Sequence, residues 1–340
     1  MQGGSDDDIH PTNAKQLVQR RAKEVVLFAS SLGALLQVKR RSALAIGGMS
    51  ELRGQRMVLQ DIAFNVPNTY SDTLVLNKLF ENTCQSLQEV VDVNGVNKTV
   101  MSFGPDTYEV PKGFVAGISS FREYGAHATI TLLSQTGIRN GSSDAELFQR
   151  GNGLQFIKMG SDVLRISKAV EAGASVKYAY GWVDLETPSR IPLEVVVGST
   201  RDPVMLVCLR VGDLDASLRF FTQQLGMQLL PFPLARESGS AFEQKQPAQS
   251  VYLGYSADTM GLLLVQAPYF NVYDIKGKQP PPPPVVVGSQ IDAFSIVADD
   301  TSTELPDQVR DAMRDGVIVN SPDGYPFRIV KYSDYKKKSN

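Results

Sequence analysis

One segment of this chain occurs twice. "TPSRIPLEVVV" (residues 187–197) aligns with "SPDGYPFRIV" (321–330), so that Pro188 meets Pro322 and Pro192 meets Pro326. Just upstream, "AVEAG" (169–173) aligns with "AMRDG" (312–316), each reading as a helix end closed by glycine. A helix, a proline-marked turn and a strand therefore recur as a unit, and recurrence limits the fold to architectures built from paired or stacked copies. The copies are 134 residues apart at the prolines and 143 at the glycines, so the first carries nine extra residues around "KYAYGWVDLE".

The fronts of the units match more loosely. "VMLVCLRVGDLDASLRFFTQQLG" reads as an apolar strand, an Asp213 cap accepting from free helix amides, a stripe of Leu214, Leu218, Phe221 and Leu225, and a glycine stop at Gly226. "MVLQDIAFNV" (57–66) followed by "SDTLVLNKLFENT" has the same strand-then-helix order. Four units result, each a strand, a helix and further strands, opening near Val58, Leu154, Val204 and Ile291. The run Pro280 to Pro284 falls between the third and fourth and reads as a stiff connector.

A length of 340 residues exceeds one ordinary core and predicts two domains plus extensions. We expect an N-terminal extension over 1–50, domains over 56–198 and 203–331, and a basic tail over 332–340. Lys plus Arg at 34 against Asp plus Glu at 36 argues against a nucleic-acid partner. Cys84 and Cys208 make no disulfide framework. In the extension, Arg20 and Arg21 precede an apolar run and then Ala43 and Ala45, an order that fits either a plastid, thylakoid-lumen or secretory targeting signal or a helix packed on the body. Residues 20–45 are thus the one segment offering membrane association, and the expected partners are otherwise a small molecule or another protein.

"LRVGDLDASLRFFTQQLGMQLL" together with "SPDGYPFRIV" resembles the vicinal oxygen chelate superfamily, specifically glyoxalase I (lactoylglutathione lyase). Its modules open with V-x-D-x-x-x-S-x-x-F-Y-x-x-x-L-G-M and close with D-P-D-G-Y-x-x-E. The resemblance implies an α+β fold of four βαβββ units making two half-barrel domains. It also implies a divalent metal held by His, Gln or Glu from the opening and closing strands of each unit. In the second domain the corresponding positions are Leu206, Leu262 to Leu264, Ala293 and Arg328, so no metal is expected there. A guanidinium about 4 Å from a divalent ion would oppose it by roughly 8 kcal/mol at an effective dielectric near 20. Arg328 suits an anion or carboxylate instead.

The first domain keeps more of the pattern. Gln60 or Asp61, His127, Gln155 and Glu194 offer an oxygen-rich set for Zn, Ni, Mn or Mg, with Glu194 as metal ligand and catalytic base. Alternation along a strand lets only one of Gln60 and Asp61 face inward. Three readings follow. One is a diverged binding or scaffold module with little or no lyase activity. Another is a metal-dependent lyase working through the first domain. The third is a metal-free small-molecule binder using aromatics such as Trp182 and Tyr252.

Overall fold

The computed structural model describes residues 57–80, 85–91, 96–102, 128–135, 148–179, 182–197, 204–232, 249–256, 259–266 and 283–334. The extension over 1–50, with its targeting-like segment at 20–45, lies outside the described residues. Among the described residues no helix is long and apolar enough to cross a membrane.

The four units open where the repeat places them: β1 (Met57–Asn65), β5 (Leu154–Ser161), β9 (Val204–Arg210) and β13 (Ile291–Ala298). A helix follows each: α1 (Thr69–Leu79), α2 (Val163–Glu171), α3 (Leu214–Arg219) and α4 (Asp307–Asp315). The remaining strands are β2 (Gln85–Val91), β3 (Val96–Ser102), β4 (Thr129–Gln135), β6 (Ser175–Ala179), β7 (Val183–Glu186), β8 (Pro192–Val197), β10 (Gln228–Leu229), β11 (Ser250–Gly254), β12 (Gly261–Val265), β14 (Ile318–Asn320) and β15 (Pro326–Lys331). The caps follow side-chain chemistry: Asn68, Asp162 and Asp213 each accept from a first-turn amide of the helix they precede. After Arg219 the helix widens into a π-turn over Phe220–Gln224. The wider turn lets the adjacent Phe220 and Phe221 both reach the core, where their rings meet Phe327 at 6.4 and 5.3 Å.

The strands form two sheets. One runs β14-β15-β13-β1-β4-β3-β2 and the other β10-β11-β12-β9-β5-β8-β7-β6. The first sheet therefore joins unit one to unit four through the antiparallel β1·β13 seam, and the second joins units two and three through β5·β9. The seams thus pair unit one with unit four and unit two with unit three, across the sequence spans 56–198 and 203–331 whose pairing the sequence leaves open. Each unit presents the free edge of its opening strand, and any other opening strand satisfies that edge. The repeat identifies the units but not their mates.

Sequence neighbours are held together another way. In the turn 187–190 of unit two, Ser189 donates its amide (3.1 Å) and its hydroxyl to the fully buried Asp72 on α1 of unit one. In the matching turn of unit four, Asp323 accepts from the Ser217 hydroxyl (3.2 Å) on α3 of unit three. Acid and serine have exchanged places, and the clasp is the same. The turns themselves coincide in detail. Thr187 Oγ1 accepts from Ile191 N at 3.2 Å and Ser321 Oγ from Tyr325 N at 3.0 Å. Arg190 and Gly324 both take positive φ, 64° and 91°.

The two links that carry the chain between sheets lie side by side. Asn152 N donates to Val286 O (2.8 Å) and Ser289 N to Gln149 O (2.8 Å), while Asn152 also binds Pro284 O and Val286 N through its side chain. The end of the proline run is thus docked, with the Arg210 guanidinium on Pro283 O. Gly151 (φ 67°) and Gly288 (φ 76°) permit this approach, since a Cβ at either would fall 2.1 Å from a backbone oxygen of the other link.

One continuous core covers the helix-facing side of both sheets, including Leu59, Ile62 and Phe64 of β1, Ile157 and Met159 of β5, and Leu76, Phe221 and Val309 from the helices. The opposite faces also carry buried residues. That of the second sheet is apolar around Leu206, Cys208, Tyr252, Leu263 and Val265. On the first sheet the corresponding buried apolar cluster is small, built on Val58 and Val297.

Candidate functional site: two rows across the sheets

On the second sheet the register sets Gly261, Leu206, Lys158, Glu194 and Asp184 in one line across five strands. Parallel or antiparallel, residues in register share a face. Two bulges determine which residues occupy it. Gln155 is the extra residue between Leu154 and Phe156, so the side chains that follow alternate with Ile157 and Met159 in the core and Phe156 and Lys158 on the open side.

Lys158 Nζ lies 3.1 Å from Glu194 Oε1, and both side chains are buried, at 2% and 3% exposure. The ring of Phe232 sits 5.6 Å from the ammonium and packs edge-on against Tyr252 at 6.2 Å. Asp184 is directly opposite Glu194 on β7. Burial, and then repulsion from Glu194, push its carboxyl up to about 6, with Trp182 pulling the other way. Burial and the Glu194 charge also push the Cys208 thiol up, so it is an inert core thiol rather than a nucleophile.

On the first sheet the equivalent line is Thr129, Asp61, Ser295 and Arg328. Here too a bulge decides: Gln60 is the extra residue between Leu59 and Asp61, and it is Asp61 that turns to the open face. Asp61 Oδ1 accepts from Thr129 Oγ1 (2.7 Å) and Thr131 Oγ1 (2.9 Å). Burial raises its carboxyl, while these hydroxyls and the charges of Lys98 and Arg328 lower it in part. Arg328 is exposed, with Nη2 3.3 Å from Asp292 Oδ2.

The expected ligand set is accordingly divided. Gln60 belongs to the first sheet, buried in its bulge, and Gln155 and Glu194 to the second. Gln155 spends its amide on the Asn152 carbonyl at 2.7 Å. His127 lies outside the described residues. Lys158, Asp184, Thr129, Thr131 and Ser295 are site residues that the sequence reading passes over. A signal existed for Lys158, a lone cation inside the apolar run "LQFIKMG", although its meaning depends on knowing that β5 lies beside β8.

These donors do not fit a resident divalent ion. An ion on Glu194 would lie about 4 Å from the Lys158 ammonium and be opposed by roughly 8 kcal/mol at an effective dielectric near 20. Leu206 and Gly261 supply no side-chain donor to that row. Among the described residues no group of three or more His, Cys, Asp or Glu side chains converges.

No family model and no curated protein matches this chain. Solved structures do. A point mutant of glyoxalase I from Zea mays superposes with a TM-score of 0.58 at 17% identity, over 86% of this chain and 98% of that one. Glyoxalase I from Zea mays itself gives 0.57 at 17% identity, over 83% and 95%. This is the vicinal oxygen chelate fold. Both half-barrels of a glyoxalase I-like architecture are present, as the resemblance implies, and at this identity the likeness concerns the fold alone. Each sheet carries an acid and a base in one row, in contact as Lys158 and Glu194 on the second and separated by Ser295 as Asp61 and Arg328 on the first. The repeat sets Glu194 and Lys158 of the second sheet against Arg328 and Ser295 of the first, and Leu206 against Asp61.

Proposed function

We propose that this chain is a diverged glyoxalase-fold binding protein in which fixed charges have replaced the metal ligands, and that it lacks lactoylglutathione lyase activity. The observation that carries this reading is the buried Lys158–Glu194 pair. A glyoxalase-type base must hand a proton to and from substrate while a Lewis acid steadies the enediolate. Glu194 is instead neutralised by an ammonium from its own sheet, and its row ends in Leu206 and Gly261. The fixed ion pair and the apolar cluster around Tyr252 and Phe232 support a binding rather than a proton-transfer role for this face.

The test is direct. Purified full-length chain is assayed for bound Zn, Ni, Mn and Mg by plasma mass spectrometry and for turnover of the hemithioacetal of methylglyoxal and glutathione with each metal added. We expect substoichiometric metal and no turnover. One equivalent of metal, with activity abolished by Glu194→Gln, would restore the lyase reading.

A further inference from the structure

Three of the four units end in three strands, and the fourth ends in two. Each unit lays its strands in one order outward from the opening strand: β1-β4-β3-β2, β5-β8-β7-β6 and β9-β12-β11-β10, but only β13-β15-β14. The outermost place is therefore filled in units one, two and three and, among the described residues, unfilled in unit four. The repeat shows how the strand was lost. Residues 172–182 carry β6 between α2 and β7, whereas α4 reaches β14 through Gly316 and Val317 alone.

β14 is the counterpart of β7. Asn320 stands opposite Pro326 as Glu186 does opposite Pro192. The outer edge of β7 pairs antiparallel with β6 through Asp184 and Glu186, whose counterparts on β14 are Ile318 and Asn320. Because Ser321 N donates to Tyr325 O at 2.9 Å, the hydrogen-bonded pairs of the ladder alternate through Val319 and Phe327. The N–H and C=O of Ile318 and Asn320 consequently point away from β15. That edge is accessible, with Val317 57% and Ile318 39% exposed. Nor is it guarded. Edge strands are ordinarily blunted by charge or by brevity. β2 carries Glu89, β6 carries Lys177 and β10 spans only Gln228–Leu229, whereas β14 lies in an uncharged stretch from Gly316 to Pro322.

We infer that two copies of this chain pair edge to edge through β14. An antiparallel strand is what unit two sets at this place, and a twofold axis brings a second β14 in that direction. With the axis at Val319, Ile318 of each copy exchanges N–H and C=O with Asn320 of the other, so about four hydrogen bonds span the seam. Val317 then faces Ser321. No like charges are opposed, and an uncharged edge matches its own sequence better than a charged strand. So short a seam falls below the ~1,200 Å² of a standard interface, and the dimer dissociates on dilution. The inference concerns the sheet edge and goes beyond the binding role of the rows.

Sedimentation velocity of the full chain from about 1 to 500 µM tests it. A reversible monomer–dimer equilibrium is expected, and amide exchange at Ile318 and Asn320 should slow as concentration rises. Ile318→Pro removes an outward N–H while leaving the β15 ladder, and Ile318→Lys sets like charges across the seam; each should weaken the dimer about tenfold or more. Val176→Lys on β6, an edge of the other sheet, should change nothing. Circular dichroism verifies folding, and if Ile318→Pro does not fold, Ile318→Lys decides. A chain that stays monomeric throughout overturns the inference, as does a dimer indifferent to Ile318→Lys. Neither result bears on the metal and turnover assays above, so the two proposals fail separately.

Discussion

Replacing Lys158 by methionine tests the central feature of the second row. The substitution keeps the length of the stem, so packing is nearly unchanged while the charge is lost. At 3.1 Å and an effective dielectric near 20, the ammonium and Glu194 attract by about 5 kcal/mol. Much of that is returned as desolvation, because both side chains are buried. What remains after the substitution is Glu194 beside Asp184 without the Lys158 ammonium. Breaking one partner of a buried pair costs about 3–5 kcal/mol. With an m-value of roughly 3 kcal/mol/M, the urea midpoint of Lys158→Met should drop by about 1–1.7 M. The double variant Lys158→Met, Glu194→Leu removes both charges and should recover most of the loss. Equilibrium urea denaturation followed by tryptophan fluorescence and circular dichroism reads both numbers. A loss below about 1 kcal/mol in the single variant would mean that Glu194 reaches water, and the case against a metal on it would collapse. A double variant as unstable as the single would assign the effect to packing rather than charge.

Other expectations follow from the same structure. Asp184 binds its proton more tightly folded, at about 6, than in the unfolded chain, near the ordinary 3.8. Its contribution to stability is therefore best below pH 4 and is lost as pH rises toward 6. Asp184→Asn should flatten that slope and stabilise the protein at pH 7 by about 1–2 kcal/mol after solvent screening, as read from urea midpoints across pH 4–8. Gly151→Ala and Gly288→Ala should each cost at least about 2 kcal/mol, since the added Cβ meets backbone at 2.1 Å in a left-handed conformation; an unchanged thermal midpoint would refute the account of the paired links. Asp72→Ala should cost about 1–3 kcal/mol by stranding the Ser189 amide and hydroxyl. The exchange Asp72→Ser with Ser189→Asp, copying the arrangement of Ser217 and Asp323, should recover more than half of it in the same melts.

How much of this was legible in the sequence depends on whether a feature is local. The Asp213 cap, the Gly226 stop (φ 69°) and the four opening strands are where the sequence places them, because caps, glycine stops and apolar periodicity act over a few residues. The π-turn at Phe220 was not legible, since it answers to Phe327, far along the chain. The rows were legible only in part. Glu194 and Arg328 stand out as the matched positions of a repeat, whereas Lys158 and Ser295 acquire meaning through register. A bulge at Gln60 and another at Gln155 shift that register by one residue, and one residue reverses which face a side chain occupies. Counting from sequence therefore selected Gln60 and Gln155, while Asp61 and Lys158 are the side chains in the rows opposite the helices.

The pattern of exchange bears on how such a chain keeps its fold while its rows change. The clasp between neighbouring units exists in two versions, Asp72 with Ser189 and Ser217 with Asp323, and each is a complete donor–acceptor set. The rows show the same property with charge: Glu194 beside Lys158 on one sheet, Arg328 and Asp61 flanking Ser295 on the other. A buried polar group is tolerated so long as its complement is present, whichever strand supplies it. A metal site is less permissive, because several donors must converge on one point with fixed geometry, and a single cation in their midst abolishes it. The half-barrel can thus retain its units, clasps and core while the open faces exchange one complementary set for another. The fold can thus match that of glyoxalase I across most of its length while its two sheets carry different complementary sets.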